Sequence, residues 1–153
     1  VRLALIGDVH SNALALNTVL NAAAQERVDA LLITGDLVGY YFSARAVINL
    51  LAPWEKFVVR GNHEEMLARL RREPASGGEI RRRYGSGLDI VLAQLSEREV
   101  DQLCNLPHPL SLELDGRKIL LCHGSPEDLD RYVYPDSDLG GWPTARWTPS
   151  IWW

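Results

Sequence analysis

The sequence predicts an α/β fold in two parts, a mainly parallel sheet followed by an antiparallel or mixed one. Three observations carry the prediction. Four short apolar runs, Leu3 to Ile6, Leu31 to Thr34, Phe57 to Val59 and Ile119 to Leu121, are bounded by glycine and polar residues and read as buried strands. The first three alternate with amphipathic helical patterns over short connections, which implies parallel strands with right-handed crossovers. Finally, Asp115-Gly116 separates two strand-like runs and is a strong two-residue hairpin signal.

In chain order, Leu3 to Ile6 forms the first strand. Ser11 and Asn12 can cap a helix whose apolar positions Leu16, Val19, Leu20 and Ala23 follow the helical period. Ala30 to Ile33 is the next strand. Ser43 to Leu51 is a helix with Ala46, Val47 and Leu50 on one face, closed by Pro53. Phe57 to Arg60 is a third strand, and Asn62 opens a third helix with Met66, Leu67 and Leu70 inward. Pro74 to Gly78 reads as a loop, and Ile80 to Gly87 is basic and glycine-punctuated. Leu88 to Leu95 and Ser96 to Cys104 read as short helices, the second capped by Ser96 with Glu99 three residues later. Leu110 to Leu114 and Arg117 to Cys122 flank the hairpin turn and begin a second sheet that reads as unfinished. Residues 139–153 have neither strand nor helix composition. They hold Trp142, Trp147, Trp152 and Trp153 interleaved with Pro143 and Pro149, and are expected to be a Trp/Pro-rich tail of non-native character after a domain over 1–138.

Composition frames this reading. A chain of 153 residues fits one domain, and at that size a domain buries about 68–70% of its unfolded surface. With 46% hydrophobic and 24% charged residues and a net charge of −4, it is an ordinary globular composition. The acidic balance argues against bulk, sequence-blind nucleic-acid binding, while a local basic patch keeps nucleic acid open as a partner. Cys104 and Cys122 belong to no C-x-x-C pair and read as free thiols in a reducing compartment. No charged segment with a long apolar run precedes the first strand and no run reaches membrane-span length, so the expectation is a cytoplasmic protein with no membrane partner. Val1 stands where an initiator Met is expected, which fits a processed end or a start codon translated literally.

Each strand runs into residues of metal-ligand type: Asp8 and His10 after the first, Asp36 after the second, Asn62 with His63 after the third, and His123 after the last. In open α/β sheets the loops leaving the carboxyl ends of the strands converge on one crevice, so these side chains are expected to meet. Asp8 and His10 are two apart, and in extended geometry they would lie on one side and grip one cation. Asp36 can place one oxygen on each of two metals, Asn62 offers a carbonyl oxygen and His123 an imidazole. Such N/O ligation suits Mn, Fe, Zn or Co. Two cations about 3.5–4 Å apart can clamp a phosphoryl group and activate a bridging water. His63 could protonate the leaving oxygen. Singly, each residue has a plainer reading: Asn62 with Glu65 as a capping box, Asp36 as a turn, Asp8 as a cap, His123 as a hydrogen-bonded strand end, His108 as a loop histidine between Pro107 and Pro109. Four matched strand ends together are hard to attribute to capping.

The blocks Gly7-Asp8-Val9-His10-Ser11-Asn12, Gly35-Asp36-Leu37-Val38-Gly39-Tyr40, Gly61-Asn62-His63-Glu64 and His123-Gly124-Ser125-Pro126 resemble, in order and spacing, the calcineurin-like metallophosphoesterase superfamily. They look most like its small bacterial and archaeal predicted-phosphodiesterase branch. The resemblance implies a four-layer αββα sandwich, here with an incomplete second sheet, and a dinuclear centre between the sheets. It implies that Asp8 and His10 bind one metal, Asp36 bridges, Asn62 and His123 bind the other, and His63 is the catalytic histidine. Two divalent ions are expected, Mn first, with Fe, Zn, Co or Ni as alternatives. The family closes its site with a Gly-His-x-His block that gives one histidine to each metal. No histidine follows His123 here. Losing even an outer-shell partner typically weakens metal affinity 10–100-fold, so weak or absent activity is expected unless water, a partner chain or a continuation of the sequence supplies the ligands.

Two functions of different class follow. One is metal-dependent hydrolysis of a small phosphate ester, phosphodiester or phosphomonoester. The other is a non-catalytic interaction scaffold of the same fold, resembling a retromer subunit; the retained ligand set favours the first, the absent histidine pair the second. Arg69, Arg71, Arg72, Arg81, Arg82 and Arg83 suit phosphate oxygens, and a solvated helix face accounts for them equally well. Tyr40 and Tyr41 could stack on a base or sugar, or simply pack. The unpaired edge of the second sheet makes a homodimer an expected partnership.

Overall fold

The structure is a computed structural model and describes residues 1–134 and 136–137. The tail over 139–153 lies outside the described residues. Strands β1 (Leu3–Ile6), β2 (Ala30–Ile33) and β3 (Lys56–Val58) form a parallel sheet in that spatial order, with Ile6 beside Ile33 and Ile33 beside Val58. The central strand β2 is buried throughout, as its unbroken apolar run requires when both faces are covered. Helices α1 (Ala13–Gln25), α2 (Ala44–Leu51) and α3 (Asn62–Arg72) follow the three strands. A 3₁₀ turn at Pro74–Ser76 leads into α4 (Gly77–Tyr84), α5 (Gly87–Gln94) and α6 (Glu97–Cys104). Strands β4 (Leu110–Leu114) and β5 (Arg117–Leu121) pair antiparallel as a second, two-stranded sheet.

Local chemistry sets the boundaries. Asn12 Oδ1 accepts from Ala15 N at 3.1 Å and starts α1. Ser96 and Glu99 close a reciprocal capping box on α6, with Glu99 Oε2 accepting from Ser96 N at 2.7 Å. At the hairpin both Asp115 and Gly116 have positive φ, the requirement of a type I′ turn. Arg45 of α2 forms a two-pronged ion pair with Glu99 and joins α2 to α6.

Several expected details differ. The third strand is Lys56–Val58 rather than Phe57 to Arg60, because Arg60 N already donates to Pro107 O outside the sheet. The inward face of α2 is Ala44, Val47 and Leu51 rather than Ala46, Val47 and Leu50, the i−3, i, i+4 face of the same helix. Val19 is exposed, since α1 packs along Leu16, Leu20 and Ala23 and Val19 falls at the stripe's margin. Met66 only partly faces the core. The stretch from Pro74 is a 3₁₀ turn and a helix rather than a loop, and Ile80 anchors that helix in the core.

Two apolar clusters result. The larger lies between the sheet and the helices and draws on all six described helices, through residues such as Leu16, Val47, Leu67, Ile80, Val91 and Val100. The smaller lies between the sheets, where Leu32, Val59 and Leu121 are buried and Leu3, Phe57, Leu112 and Ile119 are partly so. This second cluster is only partly roofed by the two-stranded hairpin: Leu5, on the same face of β1 as Leu3, keeps 68% of its surface exposed. Stacking the hairpin on the first sheet carries the end of β5 to the carboxyl ends of β1 and β2. No helix among the described residues is long and apolar enough to cross a membrane.

Candidate metal centre

The loops after β1 and β2 are fastened to each other by backbone bonds: His10 N donates to Asp36 O and Ser11 N to Leu37 O, both at 2.8 Å. The fastening holds an unusual backbone. Of the seven non-glycine residues with positive φ among those described, five lie here: Asp8, His10, Ser11, Asp36 and Tyr40. L-residues occupy that region at a cost of order 1–3 kcal/mol each, and such strain persists where surrounding structure enforces it. The extended geometry expected for Asp8 and His10 is therefore replaced by two left-handed residues. Their side chains still meet, with His10 Nε2 3.6 Å from Asp8 Oδ1.

Asp36 is the focus. It is 3% exposed, and its Oδ2 lies 3.6 Å from His10 Nε2 and 3.8 Å from His123 Nε2. The two imidazoles arrive from different sheets and are held alike: His10 Nδ1 is 3.2 Å from Val38 O, and His123 Nδ1 is 2.8 Å from Thr34 O. A carbonyl accepts only from a protonated nitrogen, so each Nδ1 carries a hydrogen, and in the neutral imidazole each Nε2 then turns a lone pair toward the same carboxylate oxygen. A lone pair facing an oxygen makes no hydrogen bond, whereas a cation between either ring and the carboxylate satisfies both of its neighbours. This is also how metal-bound histidines are oriented, by a carbonyl on the far nitrogen. Donor atoms of Asp8, Asp36 and His123 lie within 4.8 Å of one another, as do those of His10, Asp36 and His63. The donor set therefore fits divalent cations, with Asp36 common to both groups.

Asn62, the remaining expected ligand, begins α3 and donates through Nδ2 to Asp130 Oδ1 at 2.9 Å, a bond that uses its NH₂ and not its carbonyl oxygen. His63, the next residue, is 2% exposed and stands edge-on to His10, ring centroids 4.5 Å apart. Burial pulls its pKa down to about 4, assisted by the neighbouring His10 and His123, so it is neutral at neutral pH. Its Nδ1 is buried without a hydrogen-bond partner among the described residues. Asp36 moves the other way: burial pushes its carboxyl up to about 6, opposed by the His63 backbone N–H on Oδ1 and by His123.

Glycine makes this density possible. A Cβ on Gly39, whose φ is +101°, would stand 2.0 Å from His63 Nδ1, and one on Gly61 would stand 2.1 Å from Asp36 Oδ1. Since Gly61 is the N-cap of α3, it has no side chain to cap with. Glu64, not Glu65 as the sequence suggested, reaches back to accept from Gly61 N at 2.9 Å. Glu64 does more than cap. Fully buried, it also accepts from Asp36 N at 2.9 Å and Val38 N at 3.2 Å, so one carboxylate binds the loops after β2 and β3 together. Burial raises its pKa, followed by repulsion from Asp36, while the three N–H bonds oppose this.

Sequence reasoning gave no role to Glu64, Gly39 or Asp130. Glu64 had a signal, an acidic residue three positions after a glycine that opens a helix; Asp130 had none. Tyr40 packs on the centre itself, 4.7 Å from the rings of both His10 and His63, and Tyr84 lies 5.6 Å from His63. The arginines are largely matched by carboxylates: Arg71 with Asp101 and Glu97, Arg81 with Asp89, Arg72 with Glu65, Arg69 with Glu73 and Glu79. Arg69, Arg72 and Arg83 line a cleft of about 360 Å³ that opens beside Asn62 and Asp130.

An α/β sheet with a second sheet stacked on it, and a carboxylate faced by an imidazole from each, agree with the metallophosphoesterase resemblance of the sequence blocks. The chain belongs to the calcineurin-like phosphoesterases, whose family profile matches residues 1–153. It is 27% identical over 137 residues to the uncharacterized protein MJ0912 of Methanocaldococcus jannaschii, covering 88% of this chain and 54% of that protein. Its fold superposes on the hypothetical protein PH1004 of Pyrococcus horikoshii with a TM-score of 0.71 at 21% identity, over 89% of this chain and 60% of that one. A metallophosphoesterase of Sphaerobacter thermophilus gives 0.62 at 30% identity, over 87% and 51%. The chain thus spans about half the length of the curated relative it matches.

Proposed function

We propose that this chain hydrolyses small phosphate esters, phosphodiesters or phosphomonoesters, at a two-metal centre gathered on Asp36, with Mn²⁺ as the first candidate ion and with activity impaired by the lack of the Gly-His-x-His ligands unless water, a partner chain or a continuation of the sequence supplies them. The observation that carries the reading is the convergence of His10 Nε2 and His123 Nε2, from separate sheets, on one oxygen of Asp36, each with its Nδ1 already committed to a carbonyl. When bound, two divalent cations polarise phosphoryl oxygens and bring the pKa of water toward neutrality. Asp8, His10, Asp36, Asn62 and His123 would hold them.

The remaining chemistry falls to the chain. Water attacks phosphorus, the ester P–O bond breaks, and the departing oxygen needs a proton. His63 lies within reach of the centre and is neutral in its resting, buried state. An anionic phosphoryl group placed beside it favours its charged form, so substrate binding itself would load the proton that His63 then delivers. Tyr40 and Tyr84 pack on His63 and limit water around it.

The test is hydrolysis of bis-p-nitrophenyl phosphate with added Mn²⁺ by the chain and by its Asp36→Asn variant. The reading expects p-nitrophenol release that falls at least ~100-fold in the variant. A folded chain without activity, or a variant as active as the parent, overturns it in favour of a scaffold.

A further inference from the structure

His108 reads from sequence as an ordinary loop histidine, yet it lies against a metal-ligand candidate. Its Nε2 is 3.1 Å from His123 N and 2.9 Å from His123 O, so a single imidazole nitrogen sits on both backbone groups of the one residue. Either neutral tautomer makes one bond: an unprotonated Nε2 accepts from the His123 N–H, and a protonated one donates to the His123 carbonyl. The contact is therefore open to either tautomer.

Its placement gives the contact a purpose. Among the described residues, His123 is the only candidate ligand supplied by the β4–β5 sheet; the others all come from the loops after β1, β2 and β3. On the segment that carries His108, the neighbouring Pro107 carbonyl accepts from Arg60 N at 2.9 Å, one residue before Gly61-Asn62-His63. The two-residue segment Pro107-His108 thus touches the first-sheet loop with one residue and the second-sheet ligand with the other. Flanking prolines limit the backbone freedom of His108 on both sides. Thr34 O fixes the His123 ring from its far nitrogen, and His108 fixes the backbone from which that ring hangs.

We propose that His108 is a positioning residue for the metal centre. It holds the His123 backbone so that His123 Nε2 stays aimed at Asp36 Oδ2 across the gap between the two sheets. The inference rests on the metal-centre reading above. Outer-shell partners of metal ligands are typically worth 10–100-fold in metal affinity, and an effect of that size is expected here.

The test is calorimetric titration of the metal-free chain with Mn²⁺ for the wild type, His108→Phe and His108→Gln, with urea unfolding of each as a control. Phenylalanine keeps the ring volume and loses the polar nitrogen; glutamine keeps a terminal amide able to accept or donate at a similar reach. The expected result is Mn²⁺ affinity ~10–100-fold weaker in the Phe variant and within about threefold of wild type in the Gln variant. Equal affinity in the Phe variant overturns the proposal. Should the Phe variant fail to fold, a folded Gln variant as weak as ~10-fold below wild type overturns it as well. A wild-type chain that takes up no Mn²⁺ instead removes the metal-centre reading beneath it, and is told apart by that first titration.

Discussion

The two halves of the metal centre are built differently. The first-sheet half consists of three loops locked together by backbone bonds, by the buried Glu64 and by glycines that admit no side chain. The second-sheet half is one histidine at the end of a two-stranded hairpin, fixed by Thr34 O and His108 and resting on a half-covered apolar cluster. The first half pre-organises its own ligands; the second depends on docking. Rigid strand ends can carry strained residues such as Asp8 and Asp36 because many neighbours share the constraint, whereas a two-stranded ribbon is marginal alone and takes its order from what it packs on.

The contrast breaks most severely at Glu64. Replacing Glu64 by Ala leaves the buried N–H groups of Asp36, Val38 and Gly61 without an acceptor, each worth about 1–3 kcal/mol. A loss on the order of 4 kcal/mol or more is expected in chemical denaturation, with the first-sheet loops exposed to hydrogen exchange.

A pH series sharpens the same comparison, because the titrating groups with opposite shifts both belong to the first half. In the metal-free protein between pH 4 and 6, folding takes the proton off His63, pulled down to about 4, and leaves one on Asp36, pushed up to about 6. The unfolded chain does the reverse, so the two contributions cancel. Removing one partner uncovers the other. Asp36→Asn leaves the depressed His63, whose stabilisation is full above the unfolded value of 6.5 and is lost as pH falls to about 4. His63→Gln leaves the raised Asp36, whose stabilisation is present below 3.8 and is lost as pH rises to about 6. Relative to wild type, slopes of opposite sign, amounting to on the order of 3 kcal/mol across each window, are expected from urea midpoints. Parallel profiles for all three proteins would contradict this.

A smaller effect is expected at Gly39. An alanine there takes up a positive φ and meets His63 Nδ1, so a destabilisation of roughly 1–3 kcal/mol should accompany a displaced His63 ring, visible in its imidazole NMR signals. The His123 signals, in the second half, should hardly move.

Much of this was legible in the sequence because it is local. Apolar runs, the Asp115-Gly116 turn, the Ser96–Glu99 cap and the ligand-type residue after each strand are all set within a few positions of chain. The rest depends on partners far apart along the chain. Glu64 meets Asp36 and Val38, His108 meets His123, and Asn62 meets Asp130. No periodicity records such pairs. The helix α3 begins at Asn62 as expected, but its cap moved for the same reason: Gly61 can serve as the N-cap because a residue from another strand end, Asp36, takes the His63 N–H.

The claim that Asp36 is the common point of both halves is tested most directly by calorimetric titration of Mn²⁺ into the metal-free chain and into its Asp36→Asn variant at pH 7.5. The account predicts binding by the chain and affinity at least ~100-fold weaker in the variant. Equal affinity in the two folded proteins would contradict it, because the imidazoles of His10 and His123 would then be converging on an oxygen that no cation uses.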